Sequence, residues 1–286
     1  MEKRRLGKTG VELSVVGFAG MVVDHETTED SARYVSWAVE RGINYFDVAP
    51  SYGNAEEMLG PALEPYRKDV FLACKTGERE AEGARGELAT SLERLKTDYF
   101  DLYQMHGLIT LEEVGVALGT GGAIDVFEQA KRDGKIRHIG FSAHTEEAAI
   151  AAMDRYDFDS VLFPVNWSSW LKHGFGSKIM AKAEGAGVGR LALKALAKRQ
   201  WESDEEKRWP KCWYSPVDSP EEAELALRFS LSQPITSAVS PSHFELLKWA
   251  CNAAVNLTPL TEIEEATLKS RADGLNTIFP ENRTAG

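Results

Sequence analysis

Short apolar runs alternate with longer segments of helical period along the chain. The runs fall at 15–19, 43–48, 70–75, 99–105, 136–142, 160–165, 188–194 and 236–240, and a helix-length segment follows each. Strand–helix alternation of this kind predicts parallel strands joined by right-handed crossovers. Eight such units in roughly 250 residues match a closed (β/α)8, or TIM, barrel. Residues 4–6 and 11–13, flanking Lys8-Thr9-Gly10, read as a small N-terminal β-hairpin capping the barrel's bottom.

Helix signals fit the same frame. Thr27-Thr28-Glu29-Asp30 has the hydroxyl-to-acid spacing of a capping box, Ala32, Val35 and Val39 follow at helical spacing, and Gly42 can end the helix. Ser219-Pro220-Glu221-Glu222 sets out an N-cap, a first-turn proline and acids in order. No Pro/Gly/Ser linker divides the chain, so residues 1–286 are expected to form a single barrel domain. The glycine-rich 115–122 and the charged, tryptophan-rich 198–218 are expected to be longer loops on the active face.

Composition narrows the partners. The formal net charge of −11 argues against nucleic acid or an anionic membrane and leaves room for a local basic pocket. The three cysteines, Cys74, Cys212 and Cys251, show neither a disulfide framework nor metal-ligand spacing. With no apolar run of signal-peptide or membrane-spanning length, a reducing cytoplasm is the expected location. Oligomeric state is not legible.

Candidate chemistry sits at the strand ends. Asp47 closes one apolar run and Tyr52 follows five residues later; Lys75 and His106 end the next two runs. In a parallel barrel these ends converge on one face. There Asp47 can hold Lys75 charged, and the ammonium can stabilise a Tyr52 phenolate and so lower the phenol's pKa. Tyr52 can then protonate a carbonyl oxygen that His106 orients. Such a site supplies a proton but no electrons, so a bound hydride donor is required, and a nicotinamide is the obvious one. Two other readings stay open. One is a Schiff-base lyase or aldolase with Lys75 or Lys194 as nucleophile. The other is a non-catalytic nucleotide-binding barrel that serves as a redox sensor or scaffold.

Several segments resemble the aldo-keto reductase superfamily. They are Arg5-Leu6-Gly7-Lys8-Thr9-Gly10-Val11, the run from Gly42 to Gly53, Lys75-Thr76, the run from Asp98 to His106, and the run from Gly134 to Ser142. The likeness is dense to about residue 145 and thinner beyond. It implies a barrel that reduces the aldehyde or ketone group of a small molecule with NADPH or, less commonly, NADH, bound without a Rossmann domain. It also implies a catalytic tetrad of Asp47, Tyr52, Lys75 and His106, with Tyr52 as general acid. The second half is similar to bacterial members, and the expectation is one lacking their cysteine-rich iron–sulfur tail.

The resemblance carries fewer cofactor contacts. Ser142 matches the serine that holds the nicotinamide carboxamide, and Asn166 stands near the family's glutamine. Leu193 occupies the stacking tyrosine's place, and Lys194-Ala195-Leu196 stand where Ser-Pro-Leu is usual. Lys198, with Arg199, can add charge for the phosphates. Ser240, Ser242 and His243 lead into a helix start, Ser242 and Glu245 having capping-box spacing, and such a start suits an anion. For Trp167, Trp170, Trp201, Trp209 and Trp213 a substrate mouth and core packing are equally open readings.

Overall fold

The computed structural model describes residues 1–255 and 257–279. Lys3–Arg5 (β1) and Glu12–Ser14 (β2) form the expected antiparallel hairpin. Lys8 N donates to Gly187 O at 3.0 Å, which seats the hairpin against the start of a barrel strand, at the bottom. The barrel strands are β3 (Val16–Ala19), β4 (Tyr45–Asp47), β5 (Phe71–Thr76), β6 (Phe100–Leu108), β7 (Ile136–Ala143), β8 (Ser160–Pro164), β9 (Gly189–Leu193) and, last in the chain, β12 (Ser237–Val239). Each pairs in parallel with its neighbour, and β12 closes the circle between β9 and β3. The eight strands match the eight apolar runs to within two residues at each end, β6 running three residues further.

Strands covered on both faces must be apolar throughout, and Phe71–Thr76 is buried at every position. Side chains alternate across each strand, so the inward set of one strand is fixed once one member is known. Asp47, Lys75 and Gln104 meet inside the barrel near its carboxyl rim.

The helices among the described residues are α1 (Thr28–Glu40), α2 (Ala55–Leu63), α3 (Ala81–Arg94), α4 (Leu111–Ala117), α5 (Ala123–Arg132), α6 (Glu146–Arg155), α7 (Trp167–His173), α8 (Ser177–Gly185), α9 (Pro220–Ser232), α10 (Phe244–Val255) and α11 (Glu262–Asp273). Two of the expected caps form. Thr27 accepts from Asp30 N, and Ser219 accepts from Glu222 N.

One expectation needs correction. The glycine-rich 115–122 is only half a loop, because α4 runs through Gly115 to Ala117. A complete capping box of Thr110 and Glu113 nucleates that helix despite the glycine. The 198–218 region is a loop as expected, pinned by the short pair β10 (Ala197–Arg199) and β11 (Ser215–Pro216). Ala197 and Tyr214 pack with Ile278 and Phe279 in a separate apolar cluster near the rim.

Candidate active site

Asp47, Lys75 and His106 stand on β4, β5 and β6, and Tyr52 follows β4 on a tight loop. Lys75 Nζ ion-pairs with Asp47 Oδ1, donates to Val48 O at 3.3 Å and reaches the Tyr52 hydroxyl at 3.4 Å. Asp47 and Lys75 are both almost wholly buried. The second carboxylate oxygen of Asp47 accepts from Gln104 Nε2 at 2.9 Å and from Tyr45 Oη at 3.1 Å. A buried carboxylate with no such partners would be costly. Here every donor that reaches it also fixes the direction in which Lys75 points.

Neither Gln104 nor Tyr45 was named from the sequence, although a signal for them exists. Each lies two residues before a candidate, Gln104 before His106 and Tyr45 before Asp47, and i and i+2 share a strand face.

The electrostatics correct one expectation. Burial drives the Tyr52 phenol above its ordinary value. The Lys75 ammonium pulls the other way but does not overcome it, and Asp47 adds to the rise. Tyr52 therefore keeps its proton at neutral pH rather than becoming unusually acidic. Burial is the largest influence on Lys75 and disfavours its ammonium, but Asp47 and Tyr52 together overcome it and hold the lysine above its ordinary value. His106 is pushed down to about 3 by burial, and then by the charges of Lys75, Arg79 and Lys194. Its imidazole is neutral at physiological pH. Ser51 Oγ lies 3.4 Å from His106 Nδ1, and the Tyr52 and His106 rings meet edge to face at 5.6 Å.

These side chains line a cavity of about 320 Å³ at the carboxyl ends of the strands. Ser142, Leu193, Lys194, Ser240 and Ser242 line it too. Ser142 Oγ accepts from Gly107 N at 2.7 Å and can still donate its own proton. Lys194 Nζ sits 3.2 Å from His144 Nε2 and 5.1 Å from the ring centres of Trp213 and Phe279.

The other expected contacts are placed elsewhere. Asn166 lies outside the cavity wall: its oxygen caps α7 at Ser169 N, and its amide donates to the carbonyls of Lys194 and Ala197. It holds the loop rather than offering an amide to a ligand. Lys198 is paired with Asp218 and Glu222, and His243 accepts from Lys211 N. Ala195 and Leu196 are buried beneath the rim.

Of the five tryptophans weighed for the substrate mouth, Trp213 lines the cavity, and Trp167 and Trp209 are buried. Lys211 and Tyr214, also on the wall, were not foreseen, because loop geometry leaves no periodic trace in a sequence. All three cysteines are buried free thiols. Among the described residues no helix is long and apolar enough to cross a membrane, and no cluster of His, Cys, Asp and Glu could hold a metal ion.

Serine hydroxyls and an ammonium on one wall, interleaved with Leu162, Leu193 and Val239, suit a ligand that is part flat ring and part polar chain. A barrel with an acid–base cluster beside such a wall has the form of a reductase. Comparison with known proteins gives the family. The Aldo/keto reductase family model matches residues 18–212. Uncharacterized oxidoreductase YqkF of Bacillus subtilis (strain 168) is 29% identical over 302 residues, covering 94% of this chain and 96% of that protein. L-galactose dehydrogenase of Arabidopsis thaliana is 33% identical over 172 residues, covering 54% of this chain and 52% of that one. Among solved structures, aldo-keto reductase AKR11C1 from Bacillus halodurans (holo form) has a TM-score of 0.76 at 25% identity, covering 96% of this chain and 98% of that one.

The chain belongs to the aldo/keto reductase family. It is a carbonyl-reducing oxidoreductase that works on small molecules with a nicotinamide cofactor. Nothing in these comparisons favours a Schiff-base lyase or a non-catalytic barrel. The Asp47–Lys75 ion pair also opposes a neutral, nucleophilic Lys75.

Proposed function

We propose that Asp47, Tyr52, Lys75 and His106 form the proton-delivering site of an aldehyde or ketone reductase, with Tyr52 as the general acid. The observation that carries this reading is the 3.4 Å approach of Lys75 Nζ to the Tyr52 hydroxyl, beside the Asp47 carboxylate, at the wall of a cavity. The nicotinamide supplies a hydride to the carbonyl carbon when bound. Tyr52 Oη gives its proton to the carbonyl oxygen as negative charge develops there. Lys75, kept charged by Asp47, stabilises the phenolate left behind. A neutral His106 ring that accepts from Ser51 at Nδ1 carries its proton on Nε2 and can hydrogen-bond the same oxygen.

On the cofactor side, Ser142, Leu193, Lys194, Ser240 and Ser242 are the residues that would hold the dinucleotide. NADPH is favoured over NADH because Arg208 and Lys248 lie by α10, where Glu245 pairs with Lys248 and offsets part of that charge. Arg208 lies 5.6 Å from the Trp249 ring centre, and Lys248 lies 5.4 Å from that of Phe244. The ratio of kcat/KM for the two dinucleotides tests that preference.

The decisive experiment is Tyr52→Phe, assayed by NADPH oxidation against a panel of aldehydes and by cofactor fluorescence titration. Turnover is expected to fall at least about 10²-fold, the usual contribution of a positioned acid, with cofactor Kd nearly unchanged. A variant that keeps wild-type turnover means that the acid is another group.

A further inference from the structure

The end of β6 is not a regular strand. Its register against β7 passes from Met105↔Phe141 to Leu108↔Ala143, so three steps on β6 face two on β7. The extra residue makes a bulge, and Gly107 takes φ +65 there, a conformation suited to glycine. A bulge removes ladder hydrogen bonds, and the backbone groups it releases need other partners. Gly107 N finds Ser142 Oγ at 2.7 Å. The carbonyls of His106 and Gly107 both accept from one nitrogen, Arg79 Nη2, at 2.8 and 3.3 Å.

Arg79 is itself tied down. Its Nη1 donates to Gly77 O at 3.1 Å, and its own carbonyl accepts from Ala123 N at 2.8 Å. Its Nη2 pairs with Glu113 Oε1 at 3.1 Å. Glu113 in turn accepts from the amides of Ile109 and Thr110 just beyond β6. One guanidinium thus ties the loop after β5 to the bulge and to the first turn of α4. Its Nε is buried without a hydrogen-bond partner among the described residues, a cost the site tolerates. Among the described residues, the His106 imidazole is held by the long contact to Ser51 and the edge of the Tyr52 ring, so its position leans on its backbone. Arg79 does not line the cavity.

We propose that Arg79 is a positioning residue for carbonyl reduction. Its guanidinium replaces the ladder bonds lost at the β6 bulge and thereby fixes the His106 imidazole over the reacting oxygen. This rests on the role given to His106 above. The Arg79 charge has a second effect: with burial and Lys75, it keeps that ring neutral and able to donate.

The test is a double-mutant cycle with Arg79→Met and His106→Gln, read as kcat, cofactor Kd and thermal midpoint. Arg79→Met is expected to lower kcat by about 10- to 100-fold, the scale of an ångström-sized misplacement, while cofactor Kd stays within about twofold. In the His106→Gln background the same change should alter kcat by less than about threefold, because the group it positions is gone. A purely structural role would lower kcat equally in both backgrounds, and that additivity would overturn the inference. Wild-type kcat in Arg79→Met would overturn it as well. If His106→Gln alone keeps full turnover, the reading of His106 fails and takes this inference with it, whereas a damaged His106→Gln beside a silent Arg79→Met sinks only the inference. Should Arg79→Met not fold, Arg79→Lys retains the charge on a single donor nitrogen and enters the same cycle. It is expected to lose about 3- to 10-fold under the same rule.

Discussion

Replacing Lys75 with Met removes the cation that contacts the Tyr52 hydroxyl and keeps most of the side-chain volume. The two groups are 3.4 Å apart. At the effective dielectric that suits protein sites, that separation is worth about 5 kcal/mol to a phenolate. If half of it is felt where the proton is partly transferred, the barrier rises by about 2.5 kcal/mol, on the order of 10²-fold in kcat. The same substitution strands the buried Asp47 carboxylate, which keeps only Gln104 and Tyr45 as side-chain partners. Breaking a buried pair from one side costs about 3–5 kcal/mol, so the variant should also melt earlier. The two effects separate in Asp47→Asn/Lys75→Met. Removing the stranded charge should recover much of the stability and none of the turnover. Single-turnover NADPH oxidation at saturating aldehyde, alongside thermal melting, reads both. If Lys75→Met turns over within about threefold of wild type, the ammonium does not assist the acid. If the double variant regains turnover along with stability, the loss reflected distortion and the electrostatic account is wrong.

Two further outcomes follow from the same geometry. Gly53 lies at φ +56, and a Cβ there would sit 2.1 Å from Asp24 Oδ1, the acceptor for Asn54 N. Gly53→Ala should cost about 1–2 kcal/mol from the left-handed backbone alone and should lower kcat by displacing the adjacent Tyr52; unchanged melting and turnover would show that the loop yields. His106 titrates at about 3 when folded, against an ordinary 6.5, so between those values the unfolded chain binds a proton that the native state does not. This contribution to stability is full above pH 6.5 and is lost on acidification, by up to about 1.4 kcal/mol per pH unit. His106→Gln should therefore show a shallower fall of melting temperature across that window, and identical slopes would contradict the buried neutral ring.

The barrel was legible because each buried parallel strand must be an unbroken apolar run, and eight such runs survive in the sequence with helical spacing between them. The residues proposed to deliver the proton stood out for a related reason, since a polar group placed at a strand end breaks an otherwise apolar pattern. What failed did so for local causes. Glycine content at 115–122 masked the Thr110–Glu113 capping box, which was present to be read. Asn166 immediately precedes α7, and an amide at that point serves the helix first. The sign of the Tyr52 perturbation depends on how deeply the ring is buried against how near Lys75 lies. Both are distances in the fold, and neither is written in residue order. The wall made by Lys211, Trp213 and Tyr214 comes from an irregular loop and left no pattern.

That last contrast has a practical side. The groups proposed to move the proton hang from β4, β5 and β6 and the short loop after β4, whereas Lys211, Trp213 and Tyr214 reach the cavity from a separate excursion of the chain between β10 and β11. The two hang from different stretches of backbone. Grafting a different loop between residues 200 and 214 should change which compounds gain admission while the reactive machinery stays intact, so this barrel is a scaffold for retargeting rather than a single-purpose catalyst.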